Sequence, residues 1–219
     1  MMFDYSLNGT HIESSTCEKD IGVYITHDLK PSTHCSKAAS KANAVLGIMA
    51  RNFHYRDKKV WIKLYKTYVR PHLEFASPAW NPWLSKDIKV LEKVQERAVK
   101  MCSGLQSPTY EGKLLELGLD TLVTRRKKLD LTQIWKILHK YDNIDEGLYF
   151  ARMQEGAQRF TRLAQSMYNL RPKNANLDVR RYAFSNRQIN AWNSLPDIVK
   201  SAPKIGAFRH RLNRHFSGI

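Results

Sequence analysis

The sequence predicts a mainly α fold: an N-terminal hairpin-and-strand segment, a helical bundle, and a helical C-terminal region with an irregular insert. Three observations carry this. The apolar period changes at Pro31 from every second residue to helical spacing. Later stretches repeat apolar stripes at that spacing, bounded by capping residues and glycines. The stripes lapse over residues 142–180, where the chain is polar and poorly patterned. With 219 residues, 42% of them hydrophobic, the chain can bury the core of one large domain or of two small ones.

Residues 1–30 read as strands. Asn8-Gly9 is the strongest short hairpin signal, and Ile21, Val23 and Ile25 alternate with polar or small residues, the period of a half-buried strand. A hairpin plus one strand is too small to stand alone, so the segment is expected to pack on the helices after it or on a segment before it.

Residues 31–104 read as three helices. Pro31 opens the first, in which Ala38, Ala39, Ala42, Val45, Leu46 and Met49 form a stripe reaching Phe53. Asp57 is placed to cap the second. Trp61, Leu64, Tyr65 and Tyr68 fall on one face of it, and Lys59, Lys63, Lys66 and Arg70 on another. Pro71 lacks a backbone donor and is expected to kink or end this helix. In the third, after Ser85, Ile88, Leu91, Val94, Ala98 and Met101 make the inward stripe. Lys86, Lys89, Lys93, Arg97 and Lys100 make a basic stripe, diluted by Glu92 and Glu96, before Gly104 stops the helix.

Residues 105–141 read as connecting helices. A short one over 109–119 ends at Gly118. A long one over 121–141 turns Leu131, Ile134, Trp135, Leu138 and Tyr141 inward and carries Arg125-Arg126-Lys127-Lys128 in its first turns. Residues 142–180 read as a polar linker or irregular insert. Over 181–219, Phe184, Ile189, Trp192, Leu195, Ile198 and Val199 restore the pattern. A last helix sets Phe208, Leu212 and Phe216 inside and Arg209, Arg211 and Arg214 outside.

Formal net charge is +16 and unevenly spread. Residues 1–50 hold four Lys/Arg against five Asp/Glu, residues 51–120 hold 13 against eight, and residues 121–219 hold 19 against seven. Such an excess repels itself in the compact state, and an anionic partner offsets it: nucleic acid first, then anionic membrane, then an acidic protein surface. Cys17, Cys35 and Cys102 are odd in number and widely spaced, which fits a reducing compartment better than a disulfide framework. The first residues, MMFDYSLNGT, lack the basic and apolar regions of a signal peptide, and no apolar run reaches the length of a membrane span.

Each candidate chemistry has a plain alternative. A basic helical stripe either follows a phosphate backbone or is a solvated face. Two such stripes, a four-residue basic run and a positive C-terminal half together favour binding, with affinity rather than base specificity. Tyr65, Tyr68, Phe75, Trp80 and Trp83 either stack on bases or are core; Trp80 and Trp83, flanked by Pro78 and Pro82, are the better candidates for an exposed loop. His27, His34 and Cys35 match no zinc spacing. No phosphate-cradling glycine loop, nucleophile elbow, zincin motif or Asp-Asp pair occurs, and Asp145-Glu146 reads as a solvated turn.

The blocks EKDIGVYITHDLKPSTHCSKAASKANAVLGIMARNF and LYKTYVRPHLEFASPAWNPW, then DIKVLEKVQERAVKMCSGL, YEGKLLELGLDTLVTRRKKLDL and FSNRQINAWNSLPDIVKSAP, carry a resemblance. Together they look like the C-terminal part of LINE-type (non-LTR), jockey-like retrotransposon reverse transcriptases, over residues 5–215. The chain departs from that pattern within 157–175, where relatives tend to carry a Thr-Arg-Gly-His-like segment and this one reads Thr161-Arg162-Leu163-Ala164.

The resemblance implies that residues 1–30 are the tail of the palm, 31–104 a thumb-like bundle gripping template–primer duplex, and the rest a post-thumb region. The fingers, the Tyr-x-Asp-Asp motif with its Mg, and the endonuclease belong to other parts of the parent RNA-directed DNA polymerase. The chain is thus expected to bind RNA, DNA or an RNA–DNA hybrid without catalysing anything alone and without a cofactor. The missing polymerase domains are expected partners, a membrane is not, and residence is nuclear or cytoplasmic. The expected phosphate contacts are Lys59, Lys63, Lys66 and Arg70, then Lys89, Lys93 and Arg97, then Arg125, Arg126, Lys127 and Lys128. The alternative is a helical protein-interaction scaffold, or a decayed element product with no nucleic-acid role.

Overall fold

Two antiparallel hairpins open the chain in a computed structural model that describes residues 5–153 and 166–217. β1 (Tyr5–Leu7) and β2 (Thr10–Ile12) close on Asn8-Gly9, with φ of 50° and 79°. β3 (Cys17–Asp20) and β4 (Val23–Thr26) close on Ile21-Gly22, with φ of 43° and 87°. Positive φ at both turn positions matches the twist of the flanking strands. The expected single second strand is therefore a hairpin. Ile21 sits at its tip, 87% exposed, and of the alternating trio only Val23 is buried. An isoleucine at positive φ is rare, which hides this turn from a composition-based reading.

The remainder is mainly helical. α1 (Ser32–Asn52) begins directly after Pro31 and buries Ala38, Ala39, Ala42, Leu46 and Met49. α2 (Lys58–Leu64) is capped by Asp57, whose carboxylate accepts the Val60 N–H at 2.7 Å. Helical structure does not end at Pro71. The chain passes through a π turn, Tyr65–Val69, into α3 (Arg70–Glu74), with the Arg70 N–H reaching the Tyr65 carbonyl. A proline inside regular α-helix costs about 3 kcal/mol, and a π turn just before it re-routes the hydrogen-bond ladder where the proline cannot donate. The wider turn also keeps every fourth residue on one side. Trp61, Tyr65, Val69 and Leu73 are all fully buried, while Tyr68, expected inward, is 56% exposed.

α4 (Ser77–Trp80) leads to α5 (Ser85–Lys100), then α6 (Tyr110–Glu116) and α7 (Leu122–Leu138), the last two capped by Thr109 and Thr121. A 3₁₀ turn at Glu146–Leu148 and a bridge between Arg152 and Leu170 come next. Then come α8 (Asp178–Arg181), α9 (Phe184–Arg187), α10 (Ile189–Asn193), α11 (Asp197–Lys200) and α12 (Ile205–Ser217).

Two apolar cores result. The first runs from Val23 through α1–α6 to Leu122; the second gathers Leu131–Leu138, Phe150, Leu170, α10 and α12. α7 belongs to both. The described parts of 142–180 are thus anchored in the second core through Phe150 and Leu170, and Thr161–Ala164 lies outside the described residues. Tyr141 and Ile198, expected inward, are exposed. Tyr141 falls beyond the end of α7, and Ile198 turns away from the side on which Val199 is buried. Among the described residues no helix is long and apolar enough to cross a membrane.

Candidate nucleic-acid interface

The inward register of Trp61, Tyr65, Val69 and Leu73 leaves Lys59 and Lys63 exposed on the outer side of α2, with Lys66 half-buried beside them. These lysines and Lys58 border a groove of about 510 Å³, with Ile62 and Thr67 also lining it and Glu116 and Leu117 across it. Glu116 is already committed. It takes the Lys58 ammonium at 2.8 Å and the backbone N–H groups of Gln106 and Ser107, which hold its carboxyl down at about 2. Lys59, Lys63 and Lys66 have no acidic partner among the described residues. The Lys66 pKa is pushed down, first by burial and then by the nearby Arg70 and Arg125 charges, so this end of the groove is electropositive.

Arg70 is less available than its spacing implies. It lies 3.7 Å from Glu74, and the same carboxylate is held by Arg125 through both Nε and Nη2. Two guanidinium groups therefore share one acid, leaving one net positive charge at the groove's edge.

Lys89, Lys93 and Arg97 are exposed on α5, and Arg97 also donates to Asn43 Oδ1 of α1 at 3.2 Å. Sequence spacing groups this stripe with that of α2. The two helices, however, meet through the Trp61 indole N–H on the Ala98 carbonyl and the Tyr65 hydroxyl on Gln95 Oε1, both at 2.7 Å. On each helix the basic stripe lies roughly opposite those contacts, because a two-residue step turns an α-helix more than half-way round. The stripes face away from one another and make two surfaces.

The run at 125–128 is corrected more strongly. Arg126 is 1% exposed, donating from Nε to Asn81 Oδ1 at 3.2 Å, and cannot touch a polyanion. Arg125 is spent on Glu74, and Lys128 pairs with Asp120 at 2.7 Å. Lys127 and Lys128 both lie over the Phe216 ring, at 5.2 and 5.5 Å, tying α7 to α12. The run is helix-packing chemistry. Trp80 is likewise not a stacking platform, and Trp83, half-buried, has one face occupied. Trp80 is buried, its N–H on the Phe75 carbonyl at 2.7 Å, and Trp83 stacks on Tyr182 with 5.3 Å between ring centres.

A second basic concavity is invisible to sequence spacing. The β3–β4 turn, α1 and α3 enclose a cleft of about 530 Å³ containing Lys19, Lys37, Lys41, His34 and His72, with Tyr24 and Phe75 among its apolar surfaces. Its residues come from three separate segments. The only local signal is Lys37 and Lys41, one helical turn apart on the side of α1 away from its core stripe.

No protein-family model matches the chain, and no solved structure matches it. It is similar to an uncharacterized protein of Caenorhabditis elegans, with 25% identity over 133 residues, 59% of this chain. The match spans 64% of the length of that relative.

Proposed function

We propose that this chain is a nucleic-acid-holding module that grips a duplex or hybrid by its phosphate backbone along the outer face of α2, and that it does not polymerise. The observation that carries this is the trio Lys59, Lys63 and Lys66 bordering one groove without an acidic partner among the described residues, in a chain of net charge +16. The resemblance to the region after the catalytic palm in LINE-type reverse transcriptases agrees with this role. Residence is nuclear or cytoplasmic under this reading, and no template-directed extension is expected from the chain alone. The test is binding of a labelled RNA–DNA hybrid, read by fluorescence anisotropy, by the parent and by a Lys59→Glu/Lys63→Glu/Lys66→Glu variant. Binding by the parent and its loss in the variant supports the assignment. Equal binding by both overturns it.

A second reading, a scaffold for a protein partner such as the remaining polymerase domains, is favoured by the first hairpin. Tyr5, Leu7 and Ile12 are all exposed there, on strands too short to be stable alone. Charge reversal on α2 separates the two readings, since it leaves a partner bound to this hairpin in place.

A further inference from the structure

We propose that the cleft between the β3–β4 turn, α1 and α3 is a nucleotide-binding pocket, taking a phosphate on Lys37, Lys41 and Lys19 and a flat base against Phe75. Its volume, about 530 Å³, lies in the range of small-molecule sites. It is lined by three lysines and two histidines and by no carboxylate, and none of the three lysines has an ion-pair partner among the described residues. Charge complementarity therefore calls for an anion.

The apolar side calls for a ring. Phe75 is 56% exposed at the edge of the cleft, and a Cβ added at Gly22 of the hairpin tip would meet its ring edge at 3.1 Å. Tyr24 supplies a second aromatic surface, with the Lys19 ammonium 5.6 Å from its ring centre. An unpaired ammonium beside a bare aromatic face is the combination that binds a base and its phosphate together.

A histidine in the cleft wall adds to the set. His34, 5% exposed, accepts the Tyr24 N–H at its Nδ1 at 3.2 Å. In the neutral ring the proton then resides on Nε2. Burial lowers the His34 pKa, so the positive charge of the cleft comes from its lysines.

This pocket is built from elements other than the α2 groove, and it stands whether or not the chain holds a duplex. The full chain is titrated by isothermal calorimetry with AMP, UMP, adenosine and inorganic phosphate, and with a 5′-phosphorylated trinucleotide. AMP is expected to bind more tightly than either adenosine or phosphate. A Lys37→Glu/Lys41→Glu variant is expected to weaken AMP about tenfold or more, and Phe75→Ala to weaken AMP about tenfold while leaving phosphate unchanged. Lys63→Glu is expected to leave AMP binding intact, so failure here is distinct from failure of the α2 reading. Competition of the trinucleotide with AMP assigns the pocket to a strand end; AMP binding without competition assigns it to a free nucleotide. The proposal is overturned if AMP binds no tighter than adenosine, or if the Lys37/Lys41 variant, with its circular dichroism unchanged, binds AMP like the parent.

Discussion

Arg187 grips Asp130 with two parallel hydrogen bonds, Nε to Oδ2 at 2.9 Å and Nη2 to Oδ1 at 2.8 Å, and Asp130 has no solvent exposure. The same guanidinium donates to the Pro78 carbonyl at 2.8 Å, and Asn81 donates to Asp130 at 2.9 Å. One buried pair therefore joins α9, α7 and the α4 region, at the point where α7 passes from the first core to the second. Arg187→Ala strands a buried carboxylate, and the expected loss is about 3–5 kcal/mol, read from urea unfolding. A double change of Asp130 and Arg187 to apolar residues is expected to cost less than Arg187→Ala alone.

Gly22 is fixed by two independent constraints. Its φ is +87°, and an added Cβ would sit 3.1 Å from the Phe75 ring. Gly22→Ala is expected to cost about 1 kcal/mol from the backbone alone and to displace Phe75. A thermal melt reads the first effect, and loss of AMP affinity reads the second.

Arg126 separates packing from binding. Its Nη1 is buried without a partner among the described residues, so the guanidinium is imperfectly satisfied where it lies. Arg126→Met is expected to change the unfolding midpoint while leaving hybrid affinity and its salt dependence unchanged. An affinity loss comparable to that of the α2 variant would return the 125–128 run to the interface.

His34 makes stability pH-dependent. Burial lowers its pKa below the ordinary value of 6.5, so the unfolded chain takes up a proton before the folded one does. The contribution is fully present above that value and is lost as pH falls through and below it. Burial shifts His72 and His139 in the same direction, so the informative quantity is the difference between parent and His34→Gln. Urea midpoints at pH 8 and pH 5 are expected to fall more in the parent.

Much of the fold is written in local pattern. The inward stripes of α1 and α5, the Asp57 cap and the Asn8-Gly9 turn arise from spacing and capping chemistry that act within a few residues. The π turn before Pro71 does not, because nothing local distinguishes a helix that breaks at a proline from one that widens before it. Tyr68 faces solvent, against its spacing, for that reason. The site was less legible. Whether a lysine or arginine meets solvent or a carboxylate depends on pairs such as Glu74–Arg125 and Asp120–Lys128, and the first of these spans 51 residues. Periodicity finds the outward face of α2, but it cannot show that Arg126 is interior or that Lys19 sits near Lys37 and Lys41.

The most direct test of the central idea, that unpaired lysines on α2 hold a phosphate backbone, is the slope of log affinity against log salt for an RNA–DNA hybrid between about 50 and 200 mM salt. A negative slope of about −4 is expected for about four phosphates neutralised, by Lys59, Lys63, Lys66 and the residual charge of the Arg70–Arg125–Glu74 cluster, with the Lys59→Glu/Lys63→Glu/Lys66→Glu variant shallower by about 3. A flat response in the parent, or the same slope in both proteins, would contradict it.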